Sequence, residues 1–163
     1  GAIGQGIPVG FGAALAERGN RVFCLQSDGS AQYTIQTLWS IAREQLPEVI
    51  LIAGYENVSS PTAMQIGQAI PAGNVQQRLK GFTQRAGWAG LPAVKNGRVH
   101  AVYHGATRSI MDAALLQYLG KTLYPDLFKD LDPAATYLGF YQRYLPIRPQ
   151  GTFMLSVNGS DKR

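Results

Sequence analysis

The sequence predicts an α/β fold: a three-layer sandwich with a mostly parallel central sheet, helices on both faces and a hairpin near residues 93–103. Three observations lead there. From Arg21 to Asn57 the chain reads strand, acidic-glycine turn, helix, strand. Asn96-Gly97 lies between two short apolar alternations, a strong signal for a two-residue hairpin. Asp132-Pro133 is an N-cap residue followed by proline at the first helical position, and it opens a third helical region.

The elements follow in order. Gly1–Gly12 (GAIGQGIPVGFG) precedes a helical, alanine-rich run over Ala13–Arg18. Five glycines in twelve residues disfavour helix by roughly 1 kcal/mol each relative to alanine. Bare backbone of this kind serves either close approach to a phosphate at a helix start or tight packing of helix on sheet, and composition leaves both open. Arg21–Gln26 is of strand length and apolar, Ser30 is placed as an N-cap, and a helix is expected from about Ala31 to Leu46. In that helix Ile35, Leu38, Trp39, Ala42 and Leu46 recur on one face, which is therefore expected to be buried. Pro47 ends the helix, and Glu48–Ala53 (EVILIA) is a second buried strand. Two apolar strands joined by a helix make a right-handed crossover with a parallel pair, which puts Asp28 at a strand's carboxyl end, where open sheets bind ligands.

Beyond Gly54 the punctuation of Ser59-Ser60-Pro61 and Pro71-Ala72-Gly73 marks a loop. Asn74 is placed as a cap for a short helix with Val75, Leu79 and Phe82 on one face. The expected hairpin pairs Ala93–Lys95 with Arg98–Tyr103, and helix is expected over Thr107–Leu119, over a turn at Tyr124–Phe128 and over Ala134–Tyr144. Residues 156–163 read as a flexible tail.

Composition limits the function classes. The chain has 163 residues, a net charge of +5 and a pI near 9.5. The basic residues are scattered rather than clustered, which argues against nucleic acid as a partner. No apolar run approaches the ~20 residues of a membrane span. The only cysteine, Cys24, falls in a predicted buried strand and is read as a small core residue. The chain opens at Gly1 inside a glycine-rich motif, which points to a fragment, so the lack of a signal peptide carries little weight.

The stretch GAIGQGIPVGFGAALA, followed by a strand and SDGSAQYTIQTLWSIAREQLP, resembles the cofactor-binding domain of thiamine diphosphate enzymes of the decarboxylase and acetolactate-synthase-like group. The resemblance runs over residues 1–53. It implies a cytoplasmic enzyme fragment that takes thiamine diphosphate bridged by Mg²⁺, since two phosphates in a dry site need a hard cation on oxygen ligands. By resemblance Asp28 is the first metal ligand, Gly29 and Ser30 approach the diphosphate, and Gly4, Gln5 and Gly6 line the same end. The sequence departs from the family motif in two places: Ser27 stands for its first glycine, and Gly54-Tyr55 for its Asn pair, with Asn57 two residues late. No domain supplying the family's activating glutamate is present, so the resemblance implies no complete catalyst.

The run GWAGLPAVKNGRVHAVYHG, then LYPDLFKDLDP, then FYQRYLPI, resembles the C-terminal lobe of ABC-transporter periplasmic substrate-binding proteins of the iron–siderophore, haem or cobalamin class. That resemblance covers residues 54–155 and implies a periplasmic binding role, a small-molecule ligand such as a ferric siderophore, haem or cobalamin, and an ABC permease as partner. By resemblance Tyr103, His104 and Arg108 face the ligand cleft, with Arg108 able to fork onto a carboxylate or catecholate. Four residues of strand span about 13 Å, so His100 and His104 are not expected to share one ion. Asp112 and Glu56 read as surface, and Trp88, Phe128, Phe140 and Tyr141 as core. The extent of matching sequence favours the binding module over the enzyme fragment, and a designed or chimeric domain without ligand stands as the third reading. One folded unit is expected, with the second segment's sheet built partly from the first segment's strands.

Overall fold

The structure, a computed structural model, describes residues 3–25, 28–46, 48–105, 109, 111–147 and 149–159. In chain order the elements are α1 (Gly6–Ala16), α2 (Asp28–Gln32), α3 (Thr37–Arg43), β1 (Ile50–Gly54), β2 (Gly67–Gln68), α4 (Ala72–Thr83), a 3₁₀ turn (Trp88–Gly90), α5 (Pro92–Lys95), β3 (Val99–Tyr103), α6 (Asp112–Leu123), α7 (Pro133–Tyr144), β4 (Gly151–Thr152) and β5 (Met154–Ser156). They fall into two compact units, Gly1–Glu48 with Arg85–Asn96, and Val49–Gln84 with Gly97–Arg163. The class is α/β, as predicted. Among the described residues no helix is long and apolar enough to cross a membrane.

The first unit is helical. The glycine-rich segment folds into α1 from Gly6 rather than from Ala13, and no residue of α1 is buried. Residues 21–25 form no strand and are exposed, with Leu25 97% accessible, so the expected pairing of this stretch with residues 48–53 does not form. A β-rich sequence needs a neighbouring strand to satisfy its backbone, and 21–25 has none among the described residues. The single helix expected over 31–46 is instead two short helices, α2 and α3, separated by turns. Its predicted face is also not a buried one: Leu46 is buried, but Trp39 is 65% and Ile35 41% exposed. Cys24 is exposed, not a core residue. Leu91, Pro92 and Ala93 are buried in this unit, and the Ala93 N–H donates to Glu48 Oε1 at 3.2 Å, which caps the start of α5.

The second unit carries the sheet. β1 and β3 pair in parallel from Ile50↔Val99 to Gly54↔Tyr103, and β5 joins β3 antiparallel, giving the order β1-β3-β5. β2 and β4 form a separate antiparallel pair. The hairpin across Asn96-Gly97 does not form. Pro92 sits at the first turn of α5, so 92–95 is one helical turn, and Gly97 (φ 66) turns the chain from helix into β3. A proline at N1 is as good a helix signal as Asn-Gly is a turn signal, and here the turn joins a helix to a strand.

Val75 and Leu79 on α4 are fully buried, as their spacing predicts, and so are Ile66, Val99 and Ala101 of the same unit. Pro71, not Asn74, precedes α4 as its N-cap residue. α7 starts as the sequence reads, with Asp132 accepting from the Ala135 N–H at 2.9 Å. Helix α6 runs from Asp112, five residues later than expected. The tail is not flexible over 156–159: the Val157 N–H donates to the Val99 carbonyl at 2.8 Å, and Ser156 bridges Gly159. Its pairing partner is β3, more than fifty residues away, which local sequence does not reveal.

Candidate functional site

The expected cofactor positions Gly4, Gln5, Gly6, Asp28, Gly29 and Ser30 all lie in the first unit, around the starts of α1 and α2. Fold brings two of them together. Gly4 adopts φ +83, and its N–H donates to Ser30 Oγ at 2.8 Å while its carbonyl accepts from Thr34 Oγ1 at 2.7 Å. A β-carbon at Gly4 would lie 3.0 Å from Tyr33 Cβ, so this glycine permits close packing of the two segments as well as the turn. Ser30 lies inside α2 rather than capping it. Gln5 precedes α1 without a side-chain cap, and Gly6 is its first residue. The side chain of Asp28 lies outside the described residues, as does Arg108 entirely, and Gly29 is described only as backbone of α2.

The Gly4 N–H, a group that a phosphate would engage, already donates to Ser30 Oγ, while the Ser30 hydroxyl keeps its own hydrogen to donate. At the position of the family's Asn pair, Gly54 is buried and a β-carbon there would overlap the Met64 carbonyl oxygen. Tyr55 beside it is committed to the His104 ring, and Asn57 is exposed. Among the described residues no three His, Cys, Asp or Glu side chains gather to hold a metal. Among the described residues the Asn-pair positions thus offer no carboxamide oxygen to a metal.

In the second unit, chemistry collects at the carboxyl ends of the parallel strands β1 and β3, the end of an open α/β sheet where ligands bind. Tyr55 and Glu56 follow β1; Tyr103 ends β3 and His104 follows it. The Tyr55 hydroxyl is 2.7 Å from His104 Nδ1, and the two rings stack with centroids 4.8 Å apart. The Tyr103 hydroxyl donates to Glu56 Oε1 at 3.2 Å. Glu56 Oε2 is buried and has no hydrogen-bond partner. Tyr137 and Tyr141 on α7 bring their hydroxyls within 3.4 Å, and Phe153 stacks on Tyr137 at 4.3 Å and packs edge-on to Tyr103 at 5.6 Å. Burial, first, and then the hydrogen bond to Glu56 push the Tyr103 phenol above its ordinary pKa. Burial and the contact with Tyr141 hold Tyr137 higher still, so both remain neutral donors at physiological pH.

Tyr103 thus ends β3, where the expected strand over 98–103 also ends, and His104 follows it. Glu56 is not the surface residue it reads as, and neither is Asp112, whose Oδ1 is likewise buried without a partner. The signal that could have found Glu56 is its position just past a strand's carboxyl end, two residues after Gly54, which pairs with Tyr103. His100 and His104 stay apart in role: His100 Nδ1 lies 2.8 Å from the Tyr118 hydroxyl. Of the aromatics expected in the core, Phe140 and Tyr141 pack against Met111, Ala114 and Tyr137, whereas Phe128 is exposed and covers Gly120.

Comparison with known proteins finds similarity of two kinds, and the matched stretches overlap. The family model "Thiamine pyrophosphate enzyme, C-terminal TPP binding domain" matches residues 1–85. Over 52 residues the chain is 58% identical to the putative acetolactate synthase large subunit IlvX of Mycobacterium tuberculosis, covering 32% of this chain and 10% of that protein. Over 114 residues it is 32% identical to an alpha-keto-acid decarboxylase of Mycobacterium leprae, covering 70% of this chain and 18% of that one. Among solved structures it is similar to the TroA-like periplasmic binding protein FepB from Veillonella parvula, with TM-score 0.70 and 36% identity over 77% of this chain and 35% of the other. The chain spans less than a fifth of the length of these two curated relatives and about a third of that structure.

Proposed function

The chain belongs to the thiamine pyrophosphate enzyme family through its C-terminal TPP binding domain, and on that premise we propose that it is a non-catalytic segment of a decarboxylase or acetolactate-synthase-like enzyme. It keeps the two segments that line the diphosphate end of such a site and joins them through Gly4 and Ser30. What carries the reading is Tyr55. The motif places its metal-ligating Asn there, the second of its pair, and the Tyr55 hydroxyl lies instead 2.7 Å from His104 Nδ1. Without a second oxygen ligand a hard divalent ion is not held, and the diphosphate loses its bridge. When bound in a complete site, thiamine diphosphate supplies a carbanion that adds to the 2-oxo acid carbonyl. This chain's own residues contribute contacts and no proton transfer. Calorimetric titration of the purified chain with thiamine diphosphate, with and without Mg²⁺, tests the reading. Affinity indifferent to Mg²⁺ and no turnover of a 2-oxo acid are expected; turnover, or Mg²⁺-dependent binding, overturns it.

A second reading rests on a separate observation. The Tyr55, Glu56, Tyr103 and His104 side chains converge past the carboxyl ends of β1 and β3, and the similarity to FepB extends over most of the chain. These support the second unit as a small-molecule binding lobe, with Tyr103 and His104 facing the ligand. A ferric siderophore, haem or cobalamin at 100 times its dissociation constant would stabilise the fold by about 2.7 kcal/mol. A thermal-shift panel of the three reads that directly, and a flat response to all three removes the lobe's proposed ligands.

A further inference from the structure

We infer that residues 22–25, held on the surface of α1, are a docking edge for a second copy of this chain, the two segments pairing antiparallel about a twofold axis. Val22, Phe23, Cys24 and Leu25 have strand composition, yet among the described residues no backbone–backbone hydrogen bond reaches any of them. The segment is nonetheless placed: a β-carbon on Gly10 of α1 would lie 3.1 Å from Cys24 Cβ. Residue 24 rests against the helix, and its neighbours meet solvent, Phe23 65% and Leu25 97% accessible. An exposed apolar edge with unpaired N–H and C=O groups is a template for another strand.

The segments around that edge are apolar as well. Helix α1 has no polar side chain over its 11 residues, and none of them is buried. Val9 on it is 66% exposed, and Ile3 before it 68%. Tyr33, whose Cβ would lie 3.0 Å from a β-carbon on Gly4, is 71% exposed. Trp39, on the helix α3 that packs on α1, is 65% exposed. Aromatic side chains of about 150–250 Å² at those exposures present roughly 300–500 Å² for Phe23, Tyr33 and Trp39, and Ile3, Val9 and Leu25 add about 200 Å². Together they approach the roughly 800 Å² that each partner gives to a stable interface.

Charge selects the occupant. The chain carries a net +5, yet residues 3–16 and 22–26 contain no charged side chain, so two copies meet there without opposing like charges. An acidic protein or an anionic membrane would need lysine or arginine on the docking residues, and these stretches offer none. Main-chain geometry selects a copy too. In a twofold antiparallel pair residue 22 of one chain meets residue 25 of the other and the reverse, so a single edge satisfies both chains.

The test is sedimentation velocity of the purified chain from about 1 to 100 µM, with amide hydrogen exchange read at residues 22–25 over the same range. A closed monomer–dimer equilibrium is expected, with exchange at 22–25 slowing as the dimer forms. Leu25→Lys puts a charge into the apolar edge of each copy, at a position the monomer leaves 97% accessible, and should raise the dissociation constant about tenfold or more. Leu127→Lys, at a residue of the second unit that is 77% exposed, should leave it unchanged; circular dichroism verifies that both variants fold. A monomer throughout that range overturns the inference, as does open-ended growth beyond two copies. So does a dimer whose amides at 22–25 exchange as in the monomer, or one equally stable in folded Leu25→Lys. Equal weakening by Leu127→Lys reports non-specific association and overturns it as well.

Discussion

Restoring the first residue of the family's Asn pair by Gly54→Asn should damage the fold rather than repair the site. Gly54 ends β1 opposite Tyr103 and is buried. A β-carbon there would overlap the Met64 carbonyl oxygen and lie 2.8 Å from Met64 Cγ and 2.9 Å from the Met64 carbonyl carbon. Met64 cannot easily withdraw. It is 3% exposed, and the next residues are tied to the same strand end by the Tyr55↔Gln65 bridge and by the Ile66 N–H donating to the Tyr55 carbonyl at 3.2 Å. Overpacking costs about 1–3 kcal/mol, and a displaced backbone hydrogen bond adds about 1 kcal/mol. A total of about 2–4 kcal/mol corresponds to a fall in melting temperature of roughly 5–15 °C for a chain of this size. Circular-dichroism melts of the parent, Gly54→Ala and Gly54→Asn measure it. Because the clash begins at the β-carbon, the alanine variant must show most of the loss. Tyr55→Asn, at an exposed position, should lose only about 1 kcal/mol with its hydrogen bond to His104. If Gly54→Ala melts with the parent, the steric argument fails; if folded Gly54→Asn binds thiamine diphosphate in a Mg²⁺-dependent way, so does the account of the lost site.

Two further outcomes follow from the packing. Leu79→Ala removes a fully buried side chain from α4 and should cost about 2–5 kcal/mol, read from urea unfolding, where a loss under 1 kcal/mol would show that the α4 face is not core. Glu48 has its carboxyl pKa raised, by burial first and opposed by the Ala93 N–H bond, so the folded state holds its proton more tightly than the unfolded. Its contribution is therefore present below the ordinary carboxylate pKa and lost as pH rises through the raised folded value. Glu48→Gln keeps an acceptor for Ala93 and should flatten that part of the stability–pH curve; an unchanged slope between parent and variant would refute the assignment.

Much of the second unit was legible because its signals are local. Asp132 caps α7 through its own side chain, Val75 and Leu79 repeat at helical spacing, and the apolar strand ending at Gly54 needs only its composition to be recognised. The first unit misled for the same reason. Residues 21–25 have the composition of a strand, but a strand exists only where a neighbour accepts its hydrogen bonds, and that neighbour is not among the described residues.

Chain chemistry alone determined the α/β class, the helix starts marked by proline and aspartate, and the two kinds of protein the halves resemble. Tertiary structure decided which strands pair, so that β1 meets β3 rather than residues 21–26. It also decided that Glu56, half-buried, accepts from the Tyr103 hydroxyl and that Gly54 has no room for a side chain. Those outcomes depend on segments ten to fifty residues apart arriving at the same few ångströms, and no local pattern of residues encodes a distance of that kind.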